Sequence, residues 1–132
     1  MLDDRLEEIA SAAVQPSVRA KAYRSLFEGR MVWVVGQKWR WIDLKWCKGR
    51  FEPVIAERAI TEPIDFPARL KMAVIDRSAL VRRIGAEFLI KELVSIGADA
   101  VTLAEQLAAD PSAYVAERGR FALARLSSLA GP

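Results

Sequence analysis

The chain has 132 residues, 52% of them hydrophobic and 28% charged, a globular balance that excludes a disordered or low-complexity chain and fits one domain. Size scaling leaves about 7,000 Å² of surface outside and buries about two-thirds of what the unfolded chain exposes, so no disulfide or metal staple is needed. One cysteine, Cys47, and no histidine exclude an intramolecular disulfide, a Cys/His zinc cluster and the Ser-His and Cys-His nucleophile pairs, while a net charge of +3 permits an anionic partner without requiring one.

Residues 1–29 are alanine-rich, punctuated by Pro16 and Gly29, and read as a first helical hairpin over 2–28. The opening residues, through Asp3, Asp4, Glu7 and Glu8, are acidic and interrupted, unlike the basic-then-apolar pattern of a secretory signal. Together with the lone thiol this predicts a cytoplasmic protein. The same four acids read as favourable charge at a helix N-terminus rather than as a metal or acid/base cluster.

Residues 30–66 differ in texture. They hold Trp33, Trp39, Trp41 and Trp46, and their longest uncharged apolar run, Met31 to Gln37, is far below the roughly 20 residues of a membrane span, so no membrane partner is expected. The pattern predicts an antiparallel meander of two or three short strands, with turns at Gly36 and Gly49 and a last strand from Phe51 to Ile60 for which Pro53 indicates an edge position or a late start. Residues 61–67 then form a rigid connector. In the second strand, Trp39, Trp41, Asp43 and Lys45 share one side and Arg40, Ile42, Leu44 and Trp46 the other. Neither side is cleanly polar, so both are expected to touch something, and the simplest expectation makes the tryptophans the core under the sheet.

Charge is concentrated in this insert. Residues 30–50 carry Arg30, Lys38, Arg40, Lys45, Lys48 and Arg50 against Asp43 alone, whereas the flanking regions are each close to neutral. Cys47 beside Lys48 reads as a bystander thiol in a turn.

Residues 67–132 return to helical spacing. Val81, Ile84, Gly85, Phe88, Leu89, Leu93 and Ile96 form one apolar stripe that Gly97 stops, and Glu87 and Lys91 stand at i,i+4 as a surface pair. A helix after an Asp99 cap carries Ala100, Val101, Ala104, Leu107 and Ala108 inward. Another starts at Asp110-Pro111 with the stripe Val115, Gly119, Ala122, Leu123, Leu126 and Ala130. Two further hairpins, 68–96 and 98–130, follow.

These stretches repeat. Val81, Gly85 and Leu89 recur as Val115, Gly119 and Leu123, Asp76 recurs as Asp110, and Val18, Ala22 and Leu26 repeat the frame near the start. The small residue in each copy lets a neighbouring helix approach closely. Asp110-Pro111 with Val115, Gly119 and Leu123, Asp76 with Val81-Arg82, and Pro16-Ser17-Val18-Arg19 with Ala22 and Leu26 resemble the second helices of HEAT-type repeats. Ala116 stands in the third copy where the others have Arg19 and Arg82. The resemblance implies a short α-solenoid serving as an interaction scaffold and carries no catalytic residue. A more distant resemblance, to HEAT-like DNA glycosylases, carries no residue over either.

The expected architecture is therefore mainly α (α+β): three HEAT-like helical hairpins with a β-meander inserted after the first. The expected function is non-enzymatic, with no metal and no cofactor. The chain would bind a protein partner or a second copy of itself through Trp33, Trp39, Trp41 and Trp46 and through a ridge on the last helix, Tyr114, Arg118, Phe121 and Arg125. That ridge has no next repeat to cover it. The alternative is nucleic-acid binding by Lys38, Arg40, Lys45, Lys48 and Arg50 together with Arg82 and Arg83, the indoles stacking bases and the cations following phosphates. Arg19 would extend that basic inner surface.

Overall fold

The computed structural model describes residues 2–60 and 65–130, with the side chains of residues 2–5 outside that description. Residues 61–64 of the expected connector, and the side chains of Asp3 and Asp4, therefore lie outside the described residues. The chain runs α1 (Leu2–Ala12), α2 (Pro16–Glu28), β1 (Arg30–Asp43), β2 (Lys48–Ala59), α3 (Phe66–Val74), α4 (Ala79–Lys91), α5 (Leu93–Ile96), α6 (Asp99–Ala108) and α7 (Ala113–Leu129). It is mainly α with one inserted β-hairpin.

The helices stack as antiparallel pairs, α1 on α2, α3 on α4 and α6 on α7, with α4 in contact with both α2 and α7. The core lies between the two layers: Tyr23 and Leu26 of α2, Leu70 of α3, Val81 and Leu89 of α4, Leu107 of α6 and Val115 of α7. Small residues set the spacing. A Cβ on Gly119 would collide with the backbone of Leu107 and Ala108, so α6 and α7 can touch this closely only over a glycine.

Two buried ion pairs tie the pairs of helices together. Arg19, 2% exposed, donates from Nε and Nη2 to the two carboxylate oxygens of Asp76 at 3.0 Å each, and from Nη1 to the carbonyls of Ala13 and Val14 at 2.7 and 2.9 Å. Arg82 repeats this one step along, with Nε and Nη2 on Asp110 at 2.6 and 3.2 Å and Nη1 on the Asp76 carbonyl at 2.9 Å. Each aspartate also accepts the backbone N–H two residues on, from Ser78 or Ser112, which organises the turn before the next helix. The pattern ends where the residue types end: Ala13 stands where an earlier aspartate would, and Ala116 where a third arginine would.

Several expectations need correction. The stripe from Val81 to Ile96 is not one helix but breaks at Glu92, where φ is −115° and ψ 24°. On α6 the inward residues are Ala100, Leu103, Ala104 and Leu107 at i, i+3, i+4 and i+7, which leaves Val101 exposed. The last helix begins at Ala113 with Ser112 as its cap, because Asp110 is held by Arg82. Glu87 pairs with Arg24 at 2.9 Å and Arg83 at 3.5 Å, while Lys91 lies over the ring of Phe88.

The insert departs most. Gly36 makes no turn; β1 runs through it as a single 14-residue strand, paired with β2 in a two-stranded sheet. The turn is residues 44–47, so Leu44, Lys45 and Trp46 belong to no strand. Among the described residues the hairpin meets the helices only near its base, where Ile60 N–H donates to the Gly29 carbonyl at 2.8 Å and Met31 packs on the core. Beyond that it stands out as an arm about 40 Å long at ~3.3 Å per residue.

Candidate interaction surface: the aromatic arm

The arm begins where α2 stops. Gly29, at φ 74°, takes the left-handed cap position and sends the chain into a run of β-branched and aromatic residues. Pairing from Arg30↔Ala59 to Asp43↔Lys48 is antiparallel and broken twice, between Val34 and Gly36 and between Trp41 and Asp43. In each break one residue of β1, Val35 or Ile42, has no opposite number, the arrangement of a β-bulge.

The first bulge decides which residues share a face. Strand β2 has no such insertion, so Phe51, Pro53, Ile55 and Glu57 lie on one side and Arg50, Glu52, Val54, Ala56 and Arg58 on the other. Across from the first set stand Trp39, Gln37, Val34 and Val32, and Trp41 follows Trp39 on the same side. The bulge thus joins even-numbered valines to odd-numbered tryptophans in one apolar stripe. Within it the Trp39 ring meets Phe51 edge-on at 5.0 Å and Trp41 at 5.4 Å. Gly49 lets the Trp39 indole lie flat on β2, since a Cβ there would run into the ring.

The opposite face is charged toward the tip. Arg40 sits directly across from Arg50, and Glu52 bridges them, accepting from Arg50 at 2.9 and 3.1 Å and from Arg40 at 3.4 Å. The Arg50 hydrogen bond, aided by both positive charges, holds the Glu52 carboxyl below its usual range. Lys38 shares this face. In the turn Asp43 accepts the Lys45 N–H at 3.0 Å and Cys47 adopts φ 52°, while Lys45 approaches the Trp46 ring. Lys38, Lys45 and Lys48 have no carboxylate within ion-pair distance among the described residues.

The tryptophans are not a core. Trp41 is 52% exposed, Phe51 67% and Trp46 68%, with Val34 and Ile55 also open. A two-stranded sheet has no second layer to bury them, which is the physical reason the core expectation fails. Trp39 and Trp41 come together; Trp33 lies on the other face near the base, and Trp46 in the turn. At the base, Met31, Val32 and Trp33 line an apolar groove with Leu6, Ile9 and Val18 of α1 and α2.

The other expected residues do not join this surface. Arg19 and Arg82 are committed to Asp76 and Asp110, so they offer no basic inner face, and Arg83 leans on Glu87. Tyr114 and Phe121 are exposed along α7 beside Ile90 and Glu117, and Arg118 donates back to the Tyr114 carbonyl at 3.1 Å. Arg125 is exposed further along the same helix. Sequence reasoning missed Phe51, Ile55 and Val34. The alternation of Phe51, Pro53 and Ile55 was visible, but the phase shift at Gly36 was not.

Among the described residues no group of three His, Cys, Asp or Glu side chains could hold a metal ion, and no helix is long and apolar enough to cross a membrane. Comparison with family models, with curated proteins and with solved structures finds no match.

Proposed function

We propose that this protein is a non-enzymatic interaction module: a short HEAT-like array of three helical hairpins that holds out a β-arm to a protein partner. The open apolar stripe of the arm carries the reading. Burying a single aromatic or large aliphatic side chain is worth about 1.5 to 3 kcal/mol, so a stripe of several is a strong drive toward a covering surface. The two-rung arginine–aspartate ladder supports a rigid scaffold behind it. The exposed ridge of Tyr114, Arg118, Phe121 and Arg125 supplies a second contact area at the far end of the array. The single thiol, exposed at Cys47, fits a reducing, cytoplasmic setting.

The test is site-specific photocrosslinking in the producing cell, with benzoylphenylalanine in place of Trp41 or, as control, of exposed Glu105. Protein adducts at position 41 but not 105 are expected. No adduct at 41, or equal adducts at both, overturns the reading.

One observation favours a second reading, nucleic-acid binding: Lys45 approaches the ring of the exposed Trp46 and, like its turn neighbour Lys48 and Lys38 further down the arm, has no carboxylate within ion-pair distance among the described residues. It predicts tryptophan quenching by single-stranded oligonucleotides that weakens steeply with salt, and no quenching at low salt sinks it.

A further inference from the structure

The turn at the end of the arm is a surface of its own, apart from the apolar stripe. Leu44 is 72% exposed, Trp46 68% and Ile42, in the second bulge, 60%. The turn itself does not need them: it is held by the Cys47 N–H on the Leu44 carbonyl at 3.3 Å and by Asp43, which accepts the Lys45 N–H at 3.0 Å. Polar residues would serve there and keep the tip soluble. Lys45 and Lys48 stand among these side chains and Lys38 a little further down the arm, and none of the three has a carboxylate within ion-pair distance among the described residues. Arg40 and Arg50 are already engaged by Glu52 and are not counted with them.

Three occupants compete for such a tip, and its composition separates them. Single-stranded nucleic acid would stack on Trp46 and follow the lysines, but Leu44 and Ile42 have no π face to offer and would stay in water. A protein pocket would take leucine and tryptophan, yet the buried centre of protein contacts is depleted of lysine. The headgroup boundary of a bilayer takes all of them. Indoles settle at that boundary, aliphatic side chains reach the acyl chains beneath it, and lysines meet anionic lipid while their stems stay in the apolar layer. The shape agrees, because an arm about 40 Å long holds the turn clear of the helical body and a broad flat surface meets the turn first. The short apolar run that excludes a membrane span does not bear on such a contact, which reaches only about 5 to 10 Å into the boundary.

We propose that the turn of the arm, through Ile42, Leu44 and Trp46 with Lys38, Lys45 and Lys48 around them, docks end-on to a membrane surface that carries anionic lipid. The apolar side chains enter the boundary layer and the lysines lie at the level of the lipid headgroups. This goes beyond the reading of the stripe as a protein surface and does not depend on it. Val34, Gln37 and Ile55, nearer the base, stay outside the lipid and open to a protein partner.

The test is sedimentation of the full chain with sucrose-loaded vesicles, of phosphatidylcholine alone or of equimolar phosphatidylcholine and phosphatidylserine. The mixed vesicles should bind it with a blue shift of tryptophan emission, more weakly as salt rises, and vesicles of phosphatidylcholine alone at least about tenfold less well. Leu44→Asp/Trp46→Asp and Lys45→Glu/Lys48→Glu, in or beside the turn and clear of the helices, should each lower binding at least about tenfold with unchanged helical circular dichroism. No binding to the mixed vesicles at low salt, or binding that either double variant leaves intact, overturns lipid docking. Emission that single-stranded oligonucleotides quench and vesicles leave unshifted overturns it in favour of nucleic acid. The two readings of the arm fail separately. A chain that ignores vesicles yet gives a protein adduct at position 41 loses lipid docking and keeps the interaction module; vesicle binding with no protein adduct at 41 does the reverse.

Discussion

The helical body and the arm use the same residue types to opposite ends. In the body Arg19 is 2% exposed and makes four hydrogen bonds, and among the described residues no buried side-chain nitrogen or oxygen lacks a partner. Toward the tip of the arm Arg40 and Arg50 share one glutamate in water and large aromatics lie open. Arginines that look alike in sequence are thus hardware of the stack in the body, as Arg19 and Arg82 are, and exposed surface near the tip of the arm, as Arg40 and Arg50 are. What separates them is an aspartate on the next repeat, present for Arg19 and Arg82 and missing for the arm.

The sharpest way to break that comparison is to remove one rung. Asp76→Ala strands a buried guanidinium and deletes the Ser78 turn bond, and should cost about 3 to 5 kcal/mol in urea unfolding. Glu52→Ala, which frees Arg40 and Arg50 into water, should leave the unfolding midpoint in place. Equal effects would mean that the body and the arm do not differ as described. Gly119→Ala comes next, at about 3 kcal/mol, because the new methyl meets α6 backbone that cannot rotate away. Gly85→Ala is the control. Its nearest neighbours, Val74 Cγ2 at 3.2 Å and Ala73 Cβ and the Val74 backbone nitrogen at 3.3 Å, must yield a few tenths of an ångström where the Gly119 contacts would need far more, and the helix gain of about 1 kcal/mol offsets part of that crowding, so the net change should be small.

The body was largely legible because helical period and repeat offset are local. Val81, Gly85 and Leu89 against Val115, Gly119 and Leu123 located both the buried stripe and the close contact at Gly119. The matching of Asp76 with Asp110 was visible too. Its meaning was not, since the partner of each arginine lies 28 or 57 residues away and spacing alone does not reveal which acid faces which base. The arm was legible in kind and not in shape. Strand alternation assigns faces only while the phase is unbroken, and the bulge at Val35 shifts it by one. Over residues 39–46, where two mixed faces were expected, the second bulge at Ile42 moves Asp43 to the side of Arg40 and the turn takes Leu44, Lys45 and Trp46 out of the strand, which leaves Trp39 and Trp41 together on one side. Nor could composition show that no second layer covers the tryptophans.

A smaller effect is expected in acid. Burial pushes the Asp110 carboxyl upward, but the Arg82 hydrogen bond, the Ser112 N–H and the Arg82 charge together outweigh it and hold the group below its ordinary value. A carboxyl depressed in the folded state contributes its stability above the unfolded-state pKa of about 3.9 and loses it as pH falls toward the folded value. Stability of the wild type should therefore drop below about pH 4 more steeply than that of Asp110→Asn, followed by urea midpoint at several pH values. Parallel curves would mean that the second rung does not act as an ion pair.

The smallest effect tests whether the two regions unfold together. Cys47 holds φ 52° in the turn of the arm, a conformation that costs a residue with a Cβ about 1 to 2 kcal/mol and glycine little. Cys47→Gly should therefore steady the turn by up to about 1 kcal/mol, less whatever glycine adds to the freedom of the unfolded chain. Among the described residues the hairpin meets the helices only near its base, so the gain should be confined to it: slower amide exchange in β1 and β2, with the helical unfolding midpoint unmoved. A midpoint that rises with the turn would show that arm and body form one cooperative unit, and the contrast between them would then describe exposure alone and not stability.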